Sequence, residues 1–172
     1  MRALRRLLDI VVGGACSLLL GGMVAVLAWQ VFSRYALNDP STFSEELLRY
    51  GVIWMSLLGA AYATGAGTQM AISLARQCVT GRKRMIIDML VPLSFIAFAL
   101  AVLVIGGLRG VSIASGQTSP VLRLPMPLIY ASLPVSGVLM TLYSLLNLVD
   151  LARGRGVGAE HDLAEEALLV GD

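Results

Sequence analysis

Val31–Met55 reads VFSRYALNDPSTFSEELLRYGVIWM, and its charges decide what kind of chain this is. Arg34, Asp39, Glu45, Glu46 and Arg49 fall within 16 positions, between two apolar runs long enough to cross a bilayer. A charge at mid-membrane costs roughly 2.5–3.5 kcal/mol on insertion scales. The group therefore needs partners, water or a place at the boundary. Asn38-Asp39-Pro40 is a turn signal beside it. The stretch reads as the corner between two membrane helices, with its charges at the edge of the hydrocarbon.

Composition agrees. The 172 residues are 57% hydrophobic and 14% charged, with a mean hydropathy of +0.80. Soluble domains average about 45–50% apolar and about 25% charged. A net charge of +2, with its arginines scattered, is too small to suggest a nucleic-acid surface. Cys16 and Cys78 form no metal or redox spacing, and the single His161 lies in a polar tail.

Working outward, Ile10–Ser33 carries no charge. That run is too long for a signal-peptide core of about 7–15 residues and reads as an uncleaved first span. Gly13, Ser17, Gly21 and Ala25 recur every four positions, a stripe that admits close helix approach. The second helix starts either at Thr42, where Thr42-x-x-Glu45 has capping-box spacing, or one turn earlier at Asp39-Pro40. Residues 68–80 place apolar and polar side chains on opposite faces, as in a helix lying along a membrane surface. The expected fold is all-α: one membrane domain over 1–152 with spans near 10–33, 43–65, 85–108 and 127–150, that interfacial helix, and an acidic tail over 153–172. Residues 109–127 read as the longest connection, with Pro125 and Pro127 fixing the start of the fourth span. Four spans place both termini on one side. That side carries nine of the thirteen Lys and Arg residues, which predicts cytoplasmic termini.

No nucleophile–base pair, metal-ligand spacing or cofactor motif is present, so catalytic, metal and cofactor residues are expected to be none. Helical phasing at about 100° per residue gathers Glu45, Arg49, Ser56, Gly59, Ala60 and Ala63 within roughly 100° of one another. Trp54 and Leu58 fall opposite, which predicts that they face lipid. Glu45 and Arg49 have the spacing of an i,i+4 ion pair. Charge and small side chains on one face mark a packing surface, for another chain or for the first helix. Arg34, Glu45, Glu46, Arg49, Ser56, Gly59, Ala60 and Ala63 are the interface candidates. A small homodimeric multidrug-type transporter using a membrane glutamate is the alternative, although Glu45 and Glu46 sit beside a turn.

Trp29-x-x-Phe32-x-Arg34-Tyr35, Phe43-Ser44-Glu45-Glu46-Leu47-x-Arg49, Trp54 and Leu57-x-Gly59-Ala60 together resemble the small permease subunit of TRAP (tripartite ATP-independent periplasmic) transporters. Gln117-Thr118-Ser119-Pro120, Leu124-Pro125-Met126-Pro127, Tyr130 and Leu133-Pro134-x-x-Gly137 resemble it in place and spacing, so the likeness covers about 5–152. Where that family often has Glu-His after the glycine ending helix two, and Asp a turn later, this chain has Thr68-Gln69 and Ser73. The resemblance implies a scaffold in a bacterial inner membrane. Its partners would be the lipid bilayer, a large permease subunit holding the transport sites, and, indirectly, a periplasmic protein that delivers a small organic acid. Uptake would be ion-coupled.

Overall fold

The computed structural model describes residues 2–38, 41–66 and 82–152. The interfacial helix expected over 68–80 and the acidic tail lie outside the described residues. What is described is helical. Among the described residues the one β feature is an isolated antiparallel bridge between Thr118 and Pro125.

Helix α1 (Arg2–Ala36) is 35 residues long. At 1.5 Å per residue it spans about 52 Å, against about 30 Å of hydrocarbon. Its ends therefore pass the apolar run and carry Arg5, Asp9 and Arg34. From Cys16 onward the covered positions of α1 form one narrow seam, Cys16, Leu19, Met23, Val26, Gln30 and Ser33, in alternating steps of three and four. That is the spacing with which two helices pack along a shared line. A strict four-residue step overshoots a full turn by about 40°. The small-residue stripe therefore leaves the seam. Gly13 faces the Tyr62 ring, a Cβ there meeting Cε2 at 3.6 Å, while Ser17, Gly21 and Ala25 are exposed.

Helix α2 (Thr42–Ala66) lies between α1 and the last helix. Its start differs from the expected capping box. Thr42 is the first helical residue, and Ser41 precedes it. The Ser41 hydroxyl meets that of Ser44, which donates to the Ser41 carbonyl at 2.7 Å. Ser41 and Ser44 thus tie the helix start together through a hydroxyl and a carbonyl, not through the backbone amides that a capping box fills.

Helix α3 (Arg82–Phe98) continues through a π-helical segment, Ala99–Gly106, into α4 (Gly107–Ile113) and a 3₁₀ turn, Ala114–Gly116. The expected long connection therefore begins later than position 109. Arg109 is exposed and does not stop the helix, which ends at Gly116. Pro125 caps α5 (Met126–Tyr130), with Pro127 inside its first turn. Helix α6 (Ser132–Ala152) follows almost without a break. Ala131 N donates to Pro127 O at 2.8 Å and Val135 N to Ala131 O at 3.1 Å. The interruption falls where Pro134 cannot donate to Tyr130.

Among the described residues, Leu4–Ala36, Met89–Gly116 and Met126–Leu151 are long and apolar enough to cross a membrane. Helix α2 is not among them. Tyr50, Trp54, Ser56, Tyr62 and Thr64 dilute its hydropathy, and flanking by α1 and α6 spares part of its surface from lipid. Ala61, Ala99, Leu103 and Met140 form the buried core where α2, α6 and the π segment meet. Leu58 is also buried, so the expectation that it faces lipid is wrong. The face of α2 opposite Glu45 turns into the bundle.

The π segment crosses α6 at Gly137. A Cβ there would lie 2.7 Å from Leu103 Cβ and 3.2 Å from the Ala99 carbonyl oxygen. Gly137→Ala should lower stability by about 1–3 kcal/mol, the usual cost of overpacking. Thermal unfolding in detergent checks this, with Gly106→Ala, which faces open space, as the control.

Candidate functional site: polar clusters at the two ends of the bundle

At one end, Arg5 reaches from α1 to both other helices. Its Nη1 donates to Asp150 Oδ2 at 3.0 Å. Its Nη2 donates to the Gly65 carbonyl at 2.5 Å and to Asn147 Oδ1 at 3.1 Å. Asn147 Nδ2 in turn donates to the Thr64 carbonyl at 2.9 Å. One turn along α1, Asp9 Oδ1 accepts the Tyr143 hydroxyl at 2.9 Å. Tyr143 is fully buried, and its ring lies on Gly65, where a Cβ would come within 2.5 Å of Cε1.

Each contact answers a requirement of the helix ends. The last carbonyls of a helix have no partner within it and carry partial negative charge. Arg5 and Asn147 satisfy two of those of α2. Asp150 neutralises the guanidinium of Arg5, a residue only 6% exposed. A buried charge needs such pairing. Tyr143, Asn147 and Asp150 follow one another at four and three residues, hence on one face of α6. Sequence reasoning used Arg5 only as a topological charge and passed over Asp9 and Asn147. The Arg-x-x-x-Asp and Tyr-x-x-x-Asn-x-x-Asp spacings were the signal available.

At the other end, Glu46 holds a loop. Its Oε1 accepts the Tyr50 hydroxyl at 2.7 Å, and its Oε2 accepts Leu122 N at 2.7 Å and Val121 N at 3.2 Å. Those amides form the tip of a small hairpin over 117–126. The hairpin is closed by Ser119 N to Leu124 O and Met126 N to Gln117 O, both 2.9 Å. Arg123 turns the chain there with a φ of 52°. A carboxylate accepting two backbone amides anchors the turn firmly, because charge-assisted bonds are the stronger kind.

Glu45 and Arg49 are exposed on a different side of α2. The expected Glu45–Arg49 ion pair is not formed: among the described residues the one ion pair is Arg5–Asp150. Glu46 stands about 100° around the helix from Glu45 and belongs to the inner side with Tyr50. Of the other interface candidates, Arg34, Ser56 and Ala60 are exposed, while Gly59 and Ala63 are half-buried. A cleft of about 70 Å³ between the ends of α1 and α2 is lined by Gln30, Arg34, Ser41, Thr42 and Glu45. Gln30 Oε1 is buried with no donor among the described residues.

These clusters join helices and loops; among the described residues no group of three or more His, Cys, Asp or Glu could hold a metal ion. The geometry defines a helical membrane protein tied at both ends by polar side chains. Residues 23–154 match the family described as tripartite ATP-independent periplasmic transporters, DctQ component. The chain is 30% identical over 139 residues to the sialic acid TRAP transporter small permease protein SiaQ of Vibrio cholerae serotype O1, covering 79% of this chain and 80% of that one. The chain belongs to the family of TRAP transporter small permease subunits. It is accordingly a component of a transporter, integral to the inner membrane.

Two outcomes test the clusters. Arg5→Ala strands Asp150 and should destabilise the protein by about 3–5 kcal/mol. A double-mutant cycle with Asp150→Asn should recover part of that loss if the two act as a pair. Glu46→Ala should free the hairpin and speed trypsin cleavage after Arg123 several-fold, whereas Glu45→Ala should leave the rate unchanged.

Proposed function

We propose that this subunit is a scaffold that braces the large permease subunit of its transporter during ion-coupled uptake of a small organic acid delivered by a periplasmic binding protein. The observation that carries this reading is the outward face of α2, with the end of α1 beside it. Arg34, Glu45 and Arg49 are exposed and outside any ion pair described for the chain, and the exposed Ser56 and Ala60 continue the face down the helix. Small side chains permit close approach between membrane helices, and unpaired boundary charges favour a partner that completes them. Gly59 and Ala63 border this face. Glu46 is turned inward and holds the hairpin, so it lies outside this face.

In this reading α2 is a fourth span, admitted to the bilayer because neighbours flank it. The Arg5–Asp150 bond sets the start of α1 and the end of α6 on one side. The excess of Lys and Arg makes that side cytoplasmic, and Glu45 and Arg49 then meet the periplasmic boundary. The glutamate-driven homodimer has less support, because Glu46 is occupied by its own chain's donors and Glu45 lies in the first turn of α2, not within the span. The relative's transporter is named for sialic acid, an acid of the proposed class.

Co-purification with the large subunit tests the scaffold. Arg49→Glu and Ala60→Leu should each lower recovery of the complex on the order of tenfold, about 1.4 kcal/mol. Val138→Ala, exposed on α6, should not. Ion-coupled uptake by vesicles containing this chain alone would overturn the proposal.

A further inference from the structure

A second cavity lies on the other side of α2. It encloses about 380 Å³ between α1, α2 and the start of α5, within the size range of small-molecule sites. Gly22 leaves its wall open, with nothing within 4 Å of a Cβ placed there. Met23, Gly51 and Trp54 form its sides, and Leu124 and Leu128 cover one end. Its one side-chain hydroxyl, on Tyr50, is already donated to Glu46. The cavity thus offers a ligand hydrocarbon contact and nothing else.

Its place in the fold identifies the ligand. The α1 part of the wall, Leu18–Val26, is the middle of a membrane-crossing helix. The Glu46-anchored hairpin marks the boundary end. Arg123, exposed at the hairpin tip, immediately precedes Leu124 in the cavity wall. An apolar slot at hydrocarbon depth, whose boundary-end wall residue Leu124 directly follows an exposed arginine in the chain, suits an acyl chain whose headgroup is a phosphate. Leu47, Gly51 and Trp54 point away from Glu45, Arg49 and Ser56. A partner docked on that outward face would leave the slot open to lipid.

We propose that this cavity binds one phospholipid, its acyl chain lying between Gly22 and Trp54 and its phosphate paired with Arg123. The probe is phosphatidylglycerol brominated on its acyl chains, added to the detergent-solubilised full chain. Trp29→Phe leaves Trp54 as the reporter, since the sequence has two tryptophans. Quenching should saturate at one lipid per chain. Gly22→Leu fills the slot from an open position and should weaken quenching at least tenfold with helicity unchanged. Leu128→Trp combined with Trp54→Phe is a second way of filling it, read by native mass spectrometry as loss of the retained lipid. Arg123→Gln should weaken brominated phosphatidylglycerol several-fold and leave brominated diacylglycerol unaffected. Quenching that rises without saturation, or that survives Gly22→Leu, would overturn the site. Equal loss of both probes with Arg123→Gln would overturn the phosphate contact. A homodimer that shields Trp54 would assign the slot to a second copy instead.

Discussion

The bundle depends on satisfying the end of α2 without water. That helix stops at Ala66 beside two other helices, and its terminal carbonyls would be stranded there without donors. Arg5 and Asn147 supply them from α1 and α6. The arrangement couples three requirements, since capping α2, neutralising Arg5 and seating the Tyr143 ring against Gly65 occur in one place. None is met unless the three helices come together in a single register. Apolar contacts alone are a weak guide to register in lipid, because the surrounding tails are equally apolar.

At the opposite end the same physics serves a loop instead of a helix terminus. A chain turning sharply over 120–123 presents amides that no regular element satisfies, and Glu46 accepts two of them. Neighbouring glutamates thus do different work. Glu46 faces its own fold, while Glu45, one residue and about 100° away, faces outward. The charge-rich corner is both an internal clamp and an exposed surface.

Much of this was legible in the sequence. Uncharged runs disclosed a helical membrane chain, and Pro125 and Pro127 announced the start of the final helix. The family motif lay in the Ser44–Arg49 block. What escaped notice had physical reasons. Arg5 finds Asp150 across 145 positions, a pairing no local window contains. Phasing placed Leu58 opposite Glu45 correctly but assigned the wrong side to lipid, because periodicity separates faces without saying which one meets neighbours. The π segment leaves no compositional trace in ALAVLVIG, and the continuation past Arg109 reflects helix propagation that one exposed charge does not stop. The four-residue repeat on α1 was real, yet the seam that packs follows a shorter period.

The polar ring around Arg5 also carries a statement about time. Its members come from the first helix, the end of the second and the last turns of the sixth, so the chain makes Arg5 long before it makes Asn147 and Asp150. Until α6 has entered the bilayer, the guanidinium lacks Asn147 and Asp150, the Asp9 carboxylate lacks Tyr143, and both must stay hydrated at the membrane edge. The bundle is therefore closed only once α6 has been synthesised. A polypeptide cut short before Tyr143 would retain its apolar helices and lack the means to hold them in register.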